Sequence, residues 1–326
     1  MAILEISNLC IEFPTRRGVL SAVEHLSLSI EAGEILGIVG ESGAGKSLTG
    51  NAIVGLLEPP GHVTGGVILL NGQDITHLSD AEMRKVRGAQ IGVIFQDPLT
   101  SLDPLYTIGQ QLVQTIQTHM DLSRADAKRR AIDLLVEVGI PAPERRFDAY
   151  PHEFSGGMRQ RVVIALALCC DPCLIIADEP TTALDVSVQA QIIALLKRLA
   201  REKGVATMLV THDMGVIAEA ADRVAVIYSG RLAEIGEVRS VIDTPKHPYT
   251  KGLMDSIPQI GQNLELLPNI PGAMPRLDSR PDGCAFNPRC EKAKAVCREK
   301  MSGLFTAGEK KQMAACWVYA GGDEYA

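Results

Sequence analysis

The octapeptide Gly40-Glu41-Ser42-Gly43-Ala44-Gly45-Lys46-Ser47 constrains this chain more than any other feature. It matches G-x-x-x-x-G-K-[ST] at every position, between an apolar run, Ile35 to Val39, and residues Leu48, Ala52, Ile53 and Leu56 at helical spacing. Phosphate oxygens need several donors at close range, and a glycine-rich backbone turns its N–H groups inward with no Cβ in the way. The positive end of the following helix adds to that attraction. Lys46 is placed to reach the β- and γ-phosphates, and the Ser47 hydroxyl to ligate Mg²⁺. The motif says nucleotide phosphate without saying which reaction; the bland alternative is a flexible glycine turn.

A second chemical element follows the apolar run Cys173 to Ala177, which delivers Asp178 and Glu179 to its end. Open α/β sheets bind ligands at such strand tips. Asp178 is expected to hold Mg²⁺, and Glu179, pointing elsewhere, to polarise an attacking water as general base. The competing reading is an acidic turn before Pro180.

The remaining pattern supports an α/β fold. Residues 3 to 30 alternate apolar and polar side chains, as antiparallel strands do, and Ile91 to Phe95 reads as a strand before a Pro-containing loop. From about Ile108 to Val138 the spacing is helical, with Ala131, Leu134, Leu135 and Val138 on one stripe. Asp185 is a candidate cap for a helix that buries Ile192, Leu195, Leu196 and Leu199. Val205 to Val210 and Val224 to Tyr228 are further strands, and such alternation argues for a core built on a parallel sheet. Around Thr244-Pro245-Lys246-His247-Pro248 the character shifts, which places a domain boundary near residue 245.

Composition excludes several classes. With Lys+Arg 32 against Asp+Glu 39 the net charge is −7, so no global positive field exists to hold nucleic acid. The longest apolar run, Val162 to Cys170, is nine residues, well short of the roughly 20 a spanning helix needs. Met1-Ala2-Ile3-Leu4-Glu5 lacks the basic start and apolar core of a signal peptide, so a reducing compartment is expected. There the eight cysteines are metal ligands or buried thiols rather than a disulfide framework.

With Phe154-Ser155-Gly156-Gly157-Met158-Arg159-Gln160 added, the chain resembles the ATPase subunits of ATP-binding-cassette transporters. It departs from the commonest signature in having Phe154 before the serine and Met158 where Gln is usual. The resemblance implies a P-loop NTPase cassette fold: a RecA-like core with an antiparallel β subdomain and a helical subdomain over about 97–160. It also implies that Ser155, Gly156 and Gly157 hold the γ-phosphate of ATP bound by another protomer. Gln96 would touch Mg²⁺ and the attacking water. Thr182-Ala183-Leu184-Asp185 would cross the dimer interface, and His212 would contact the γ-phosphate. Phe13 would stack on adenine, although core packing accounts for it equally well.

The implied partners are a second ATPase subunit (a sister chain or a second copy), two transmembrane permease subunits and an extracytoplasmic peptide-binding protein. The implied place is the cytoplasmic face of the bacterial inner membrane. Rival readings are a soluble cassette ATPase of DNA repair or translation, and a degenerate cassette that binds ATP without hydrolysing it. Lys46, Asp178, Glu179 and His212 give no support to loss of catalysis, and the chain has one cradle and one signature.

The segment 246–326 resembles the C-terminal extension of the peptide and nickel importer branch. The residues that carry this likeness are His247-Pro248-Tyr249-Thr250, Ile270-Pro271-Gly272, Pro281-Asp282-Gly283-Cys284 and Asn287-Pro288-Arg289-Cys290. Cys284, Cys290, Cys297 and Cys316 suit a zinc ion or an iron–sulfur cluster, or remain free thiols. In that branch such cysteines are associated with a [4Fe–4S] cluster. The same branch implies small peptides as cargo, with nickel or another small solute as the alternative.

Overall fold

Short apolar runs bounded by turns become strands here, and longer amphipathic ones become helices. The computed structural model describes residues 2–16, 18–182, 184–257, 269–308 and 311–320, so Ala183 of the expected interface loop lies outside the described residues. The backbone divides into two compact units. One comprises the residues up to Leu4 with Ser29–Ile35 and Leu69–Val210; the other comprises Glu5–Leu28, Leu36–Ile68 and the chain from Thr211 onward.

In the first unit the strands Ile91–Ile94, Leu174–Asp178 and Ala206–Val210 run parallel, with Ile91 opposite Leu174 and Leu174 opposite Ala206. Their largely apolar and buried character is that of strands covered on both faces. Helix Gly156–Leu168 lies so close to the first of them that a Cβ on Gly92 would stand 2.2 Å from the Ala167 carbonyl oxygen. Phe95, expected in the strand, falls just beyond it and is exposed.

The helical stretch expected from Ile108 to Val138 is two helices, Ile108–His119 and Arg124–Glu137. Ser123 accounts for the break, because its hydroxyl accepts from the Asp126 N–H at 3.2 Å and begins the second helix. Ala127, Ala131, Leu134 and Leu135 line its buried face. Asp185 caps helix Val186–Lys203, its Oδ1 accepting from the N–H groups of Ser187 and Val188 at 3.1 and 3.0 Å.

In the second unit Leu36 to Val39, of the strand Ile35–Val39, pair in parallel with the strand Arg223–Tyr228, and that strand pairs antiparallel with Arg231–Glu237. Short tail strands Met313–Ala314 and Phe305–Thr306 continue the ladder. Buried Glu234 ties the tail down: its carboxylate accepts from the N–H groups of Lys246 and His247 at 3.0 and 2.8 Å and from Gln312 Nε2 at 2.7 Å. The alternating N-terminal residues form the strands Ala2–Thr15 and Gly18–Glu31, which run through both units; Leu4 and Ile6, then Leu9 and Ile11, are buried two apart, with a one-residue shift of phase at Asn8, whose φ is 50°. Among the described residues no helix is long and apolar enough to cross a membrane.

Candidate nucleotide site

The glycine-rich segment follows the strand Ile35–Val39 and opens helix Lys46–Ile53. Gly45, at φ 101°, takes the left-handed turn into that helix, a conformation a side chain would strain. At Gly40 a Cβ would stand 2.2 Å from the Ile227 carbonyl oxygen, so the strand-to-loop corner admits no other residue. The helix ends at Ile53, one turn sooner than its spacing suggests, and leaves Leu56 exposed. Lys46 is buried, and its Nζ donates to the carbonyls of Gly40 at 2.8 Å and Glu41 at 3.0 Å. The ammonium is thereby aimed along the loop it closes. Ser47 is exposed.

Glu41, expected from the sequence to be one of the phosphate-binding residues of the cradle, is held instead by residues of the tail. Its carboxylate accepts from Arg289 Nη1 at 2.8 Å, and its N–H donates to the Tyr249 hydroxyl at 2.9 Å. Neither partner is signalled by the motif itself. The only trace in the sequence is that each lies inside a short segment that carries the likeness of the tail, one residue before Cys290 or two after His247.

In the same unit, Phe13 is half-buried, and a Cβ on Gly61 would meet its ring at 2.4 Å. The ring thus rests on a glycine with part of its surface open. His212 is exposed between Thr211, whose N–H donates to Ile38 O at 3.1 Å, and Asp213, which caps helix Met214–Ala220.

The other unit holds the acidic tip and the signature loop. Asp178 is the last residue of its strand, opposite Val210. Glu179 adopts φ 47°, an uncommon conformation for a residue with a side chain, which turns its carboxylate away from the strand line. Its Oε2 accepts from Gln96 Nε2 at 3.3 Å and from Thr182 Oγ1 at 3.0 Å. Gln96 and Glu179, 83 residues apart, are therefore brought together.

Ser155 caps helix Gly156–Leu168 through the Met158 N–H, at 3.4 Å. Ser155 and Gly156 are exposed, whereas Phe154 is buried with Arg146 over its ring at 5.3 Å. The phenylalanine that departs from the commonest signature thus serves as the anchor of the loop. A Cβ on Gly157 would meet Val188 Cγ1 at 2.6 Å, which fixes that glycine against the helix Asp185 begins.

The tail cysteines Cys284, Cys290, Cys297 and Cys316 line one cavity, together with Lys292 and Lys294. All four are free thiols. Burial pushes the Cys284 thiol up to about 11, and the negative charge of Cys297, Cys316 and Cys290 adds to the shift. Burial likewise raises Cys290 and Cys316. Burial thus favours the neutral thiol form, and only a cation among these sulfurs would favour the thiolate. Among the described residues, no group of three or more His, Cys, Asp and Glu side chains is drawn together closely enough to hold a metal ion as it stands. Of the other cysteines, Cys169 and Cys170 are buried as expected, while Cys10 and Cys173 are only half-buried.

A nucleotide-phosphate loop, a carboxylate pair on a strand tip and a serine-capped glycine helix define an ATP-binding cassette. Residues 23–182 match the ABC transporter family model, and residues 233–297 match that of the oligopeptide/dipeptide transporter C-terminal region. The chain belongs to the ABC transporter family, in the branch of the dipeptide and oligopeptide transport ATP-binding proteins. It is 45% identical to the dipeptide transport ATP-binding protein DppD of Escherichia coli (strain K12), over 96% of this chain and 95% of the relative. The oligopeptide transport ATP-binding protein OppD of Haemophilus influenzae is 46% identical, with 98% of each chain covered. Among solved structures, an ATP-binding cassette determined as a dimer in a post-hydrolysis state with ADP and Pi matches at TM-score 0.65 and 30% identity. That match covers 72% of this chain and 99% of the other. The cassette fold expected from the sequence is thereby established.

Proposed function

We propose that this chain is the ATP-hydrolysing subunit that energises import of di- and oligopeptides across the bacterial inner membrane. The observation that carries this reading is the alignment, cradle and extension together, with dipeptide and oligopeptide transport ATP-binding proteins over almost the whole length.

The residues divide the work as follows. Loop N–H groups of the segment Gly40–Ser47, other than that of Glu41, which donates to the Tyr249 hydroxyl, bind the phosphates, and Lys46 exchanges its carbonyl partners for phosphate oxygens. Phe13 stacks on the adenine. By the family resemblance, Ser47 in one unit and Asp178 and Gln96 in the other are each expected to be ligands for Mg²⁺, which supplies charge neutralisation on the phosphates. Glu179 takes a proton from water as its oxygen bonds to the γ-phosphorus and the bond to the bridging β–γ oxygen breaks, leaving ADP and phosphate. His212 contacts the γ-phosphate. Ser155, Gly156 and Gly157 act on the nucleotide of a second ATPase subunit, so hydrolysis requires a pair of chains. Exposure of Ser155 and Gly156 supports that use.

Two permease subunits and an extracytoplasmic peptide-binding protein complete the transporter, with this chain peripheral on the cytoplasmic face and nucleic acid playing no part. The tail cysteines Cys284, Cys290, Cys297 and Cys316 would hold a [4Fe–4S] cluster. Their shared cavity and its two lysines suit an anionic thiolate cluster.

The test is ATP hydrolysis by the complex co-purified with the tagged chain, with and without a peptide mixture and the binding protein. Stimulation by peptides is expected. Intact basal hydrolysis that responds to nickel or another solute and not to peptides would overturn the cargo assignment.

A further inference from the structure

Glu41 is held at three points, and two of them come from the C-terminal extension. Its carboxylate accepts from Arg289 Nη1 at 2.8 Å, its N–H donates to the Tyr249 hydroxyl at 2.9 Å, and its carbonyl accepts from Lys46 Nζ at 3.0 Å. Arg289 is locked in turn. Its Nε donates to the Pro271 carbonyl at 2.8 Å, Nη2 to the Ile270 carbonyl at 3.3 Å, and Nη1 also to the Tyr228 hydroxyl at 3.3 Å. Only 7% of its side chain is exposed. A guanidinium that spreads its donors over a carboxylate and several carbonyls fixes position in a way a point charge does not.

The same arginine belongs to the cysteine site. It ends the one-turn helix Asn287–Arg289, whose neighbours on either side include Cys284 and Cys290. Within that turn Asn287 N–H donates to Cys284 O at 2.8 Å, and Cys290 N–H to Asn287 O at 3.3 Å. Phe286, at its start, packs edge-on to Tyr228 at 5.2 Å and tilted against Tyr249 at 5.5 Å. A change in how the cysteines are spaced therefore moves the base from which Arg289 reaches the loop, because packed side chains transmit displacement instead of absorbing it.

We propose that Arg289 and Tyr249 are positioning residues for the phosphate loop, and that the cysteine cavity, through the turn carrying Arg289, sets the chain's affinity for nucleotide. This rests on the reading of Gly40–Ser47 as a nucleotide cradle. The extension is then a part of the nucleotide-binding apparatus in which the state of four thiols is read out as occupancy by ATP.

The test measures binding of a fluorescent ATP analogue to the full-length chain, alongside its unfolding midpoint, in a set of variants. Lys46→Ala serves as the reference for the cradle itself: an unmodified chain that binds no better than Lys46→Ala refutes the cradle reading and this proposal with it. Given normal binding by the unmodified chain, Arg289→Ala is expected to weaken affinity about tenfold, the effect of one charge-assisted bond. Arg289→Lys should recover part of the loss, and Tyr249→Phe, which removes only a hydroxyl, should weaken binding severalfold with little change in midpoint.

Two combinations read the coupling. Arg289→Ala with Glu41→Gln should bind no worse than the weaker single variant, since both remove the same contact. Cys297→Ser should weaken binding severalfold in the unmodified background and not further when Arg289→Ala is present. Unchanged affinity in Arg289→Ala and Tyr249→Phe, or losses that add fully in either combination, would overturn the proposal while leaving the cradle reading intact.

Discussion

Replacing Glu179 by glutamine separates holding from chemistry. Glu179 Oε2 accepts two bonds, from Gln96 Nε2 at 3.3 Å and Thr182 Oγ1 at 3.0 Å. The amide oxygen of glutamine accepts both, so the variant loses charge assistance without leaving a donor stranded, a cost of about 1 kcal/mol. For a chain of this size that lowers the unfolding midpoint by about 1–2 °C. An amide takes no proton from water, however. Loss of a general base costs about 10²- to 10⁴-fold in rate, or about 2.7–5.4 kcal/mol of barrier. The assay is phosphate release by the assembled transporter, with nucleotide binding measured in parallel. We expect hydrolysis to fall at least about a hundredfold while ATP still binds. Hydrolysis within a few-fold of the unmodified rate would refute the assignment of Glu179 as base.

His247 is fully covered, and burial lowers its pKa from 6.5 to about 4. The unfolded chain therefore binds a proton that the folded chain refuses as pH falls from 6.5 towards 4. Stability should be full above pH 6.5 and drop by about 3 kcal/mol by pH 4, as read by urea denaturation, and His247→Gln should remove that part of the slope. Arg280 donates to Glu24, to Ser229 Oγ at 3.1 Å and to the Ser21 carbonyl at 2.9 Å. Arg280→Ala should cost about 1.5–3 kcal/mol in the same assay. Asp185→Ala removes the cap of helix Val186–Lys203 and should lower the urea midpoint in the same assay. Anaerobically purified chain should carry iron and acid-labile sulfide, and Cys290→Ser should lose both; retained iron would refute the cluster, and zinc in its place would point to the simpler metal.

The parts of the site that are legible in the sequence are those where the chemistry is local. Gly40 to Ser47 is readable because loop, lysine and helix start occupy eight adjacent positions, and Asp178-Glu179 because an apolar strand announces its own end. Helix boundaries are less legible. Ile108 to Val138 has a continuous apolar period, and the break depends on whether Ser123 spends its hydroxyl on a cap or on solvent. Leu56 likewise keeps the helical spacing after the backbone has left the helix at Ile53. Least legible is the hold on Glu41. Arg289 lies 248 residues away, and no periodicity or motif spacing links a loop glutamate to an arginine in a cysteine-bearing turn. The Gln96–Glu179 pair is intermediate: family order brings both residues to notice, while their contact depends on two parallel strands placing their ends side by side.

On the proposed function, ATP hydrolysis by this chain drives peptides across a membrane. The most direct test is uptake of a labelled dipeptide into proteoliposomes holding the whole complex and its binding protein, with ATP on the side of this chain. Matched vesicles would carry Glu179→Gln. Accumulation should require ATP and disappear in the variant. Peptide uptake that continues without hydrolysis, or ATP-driven uptake of another solute with peptides excluded, would contradict it.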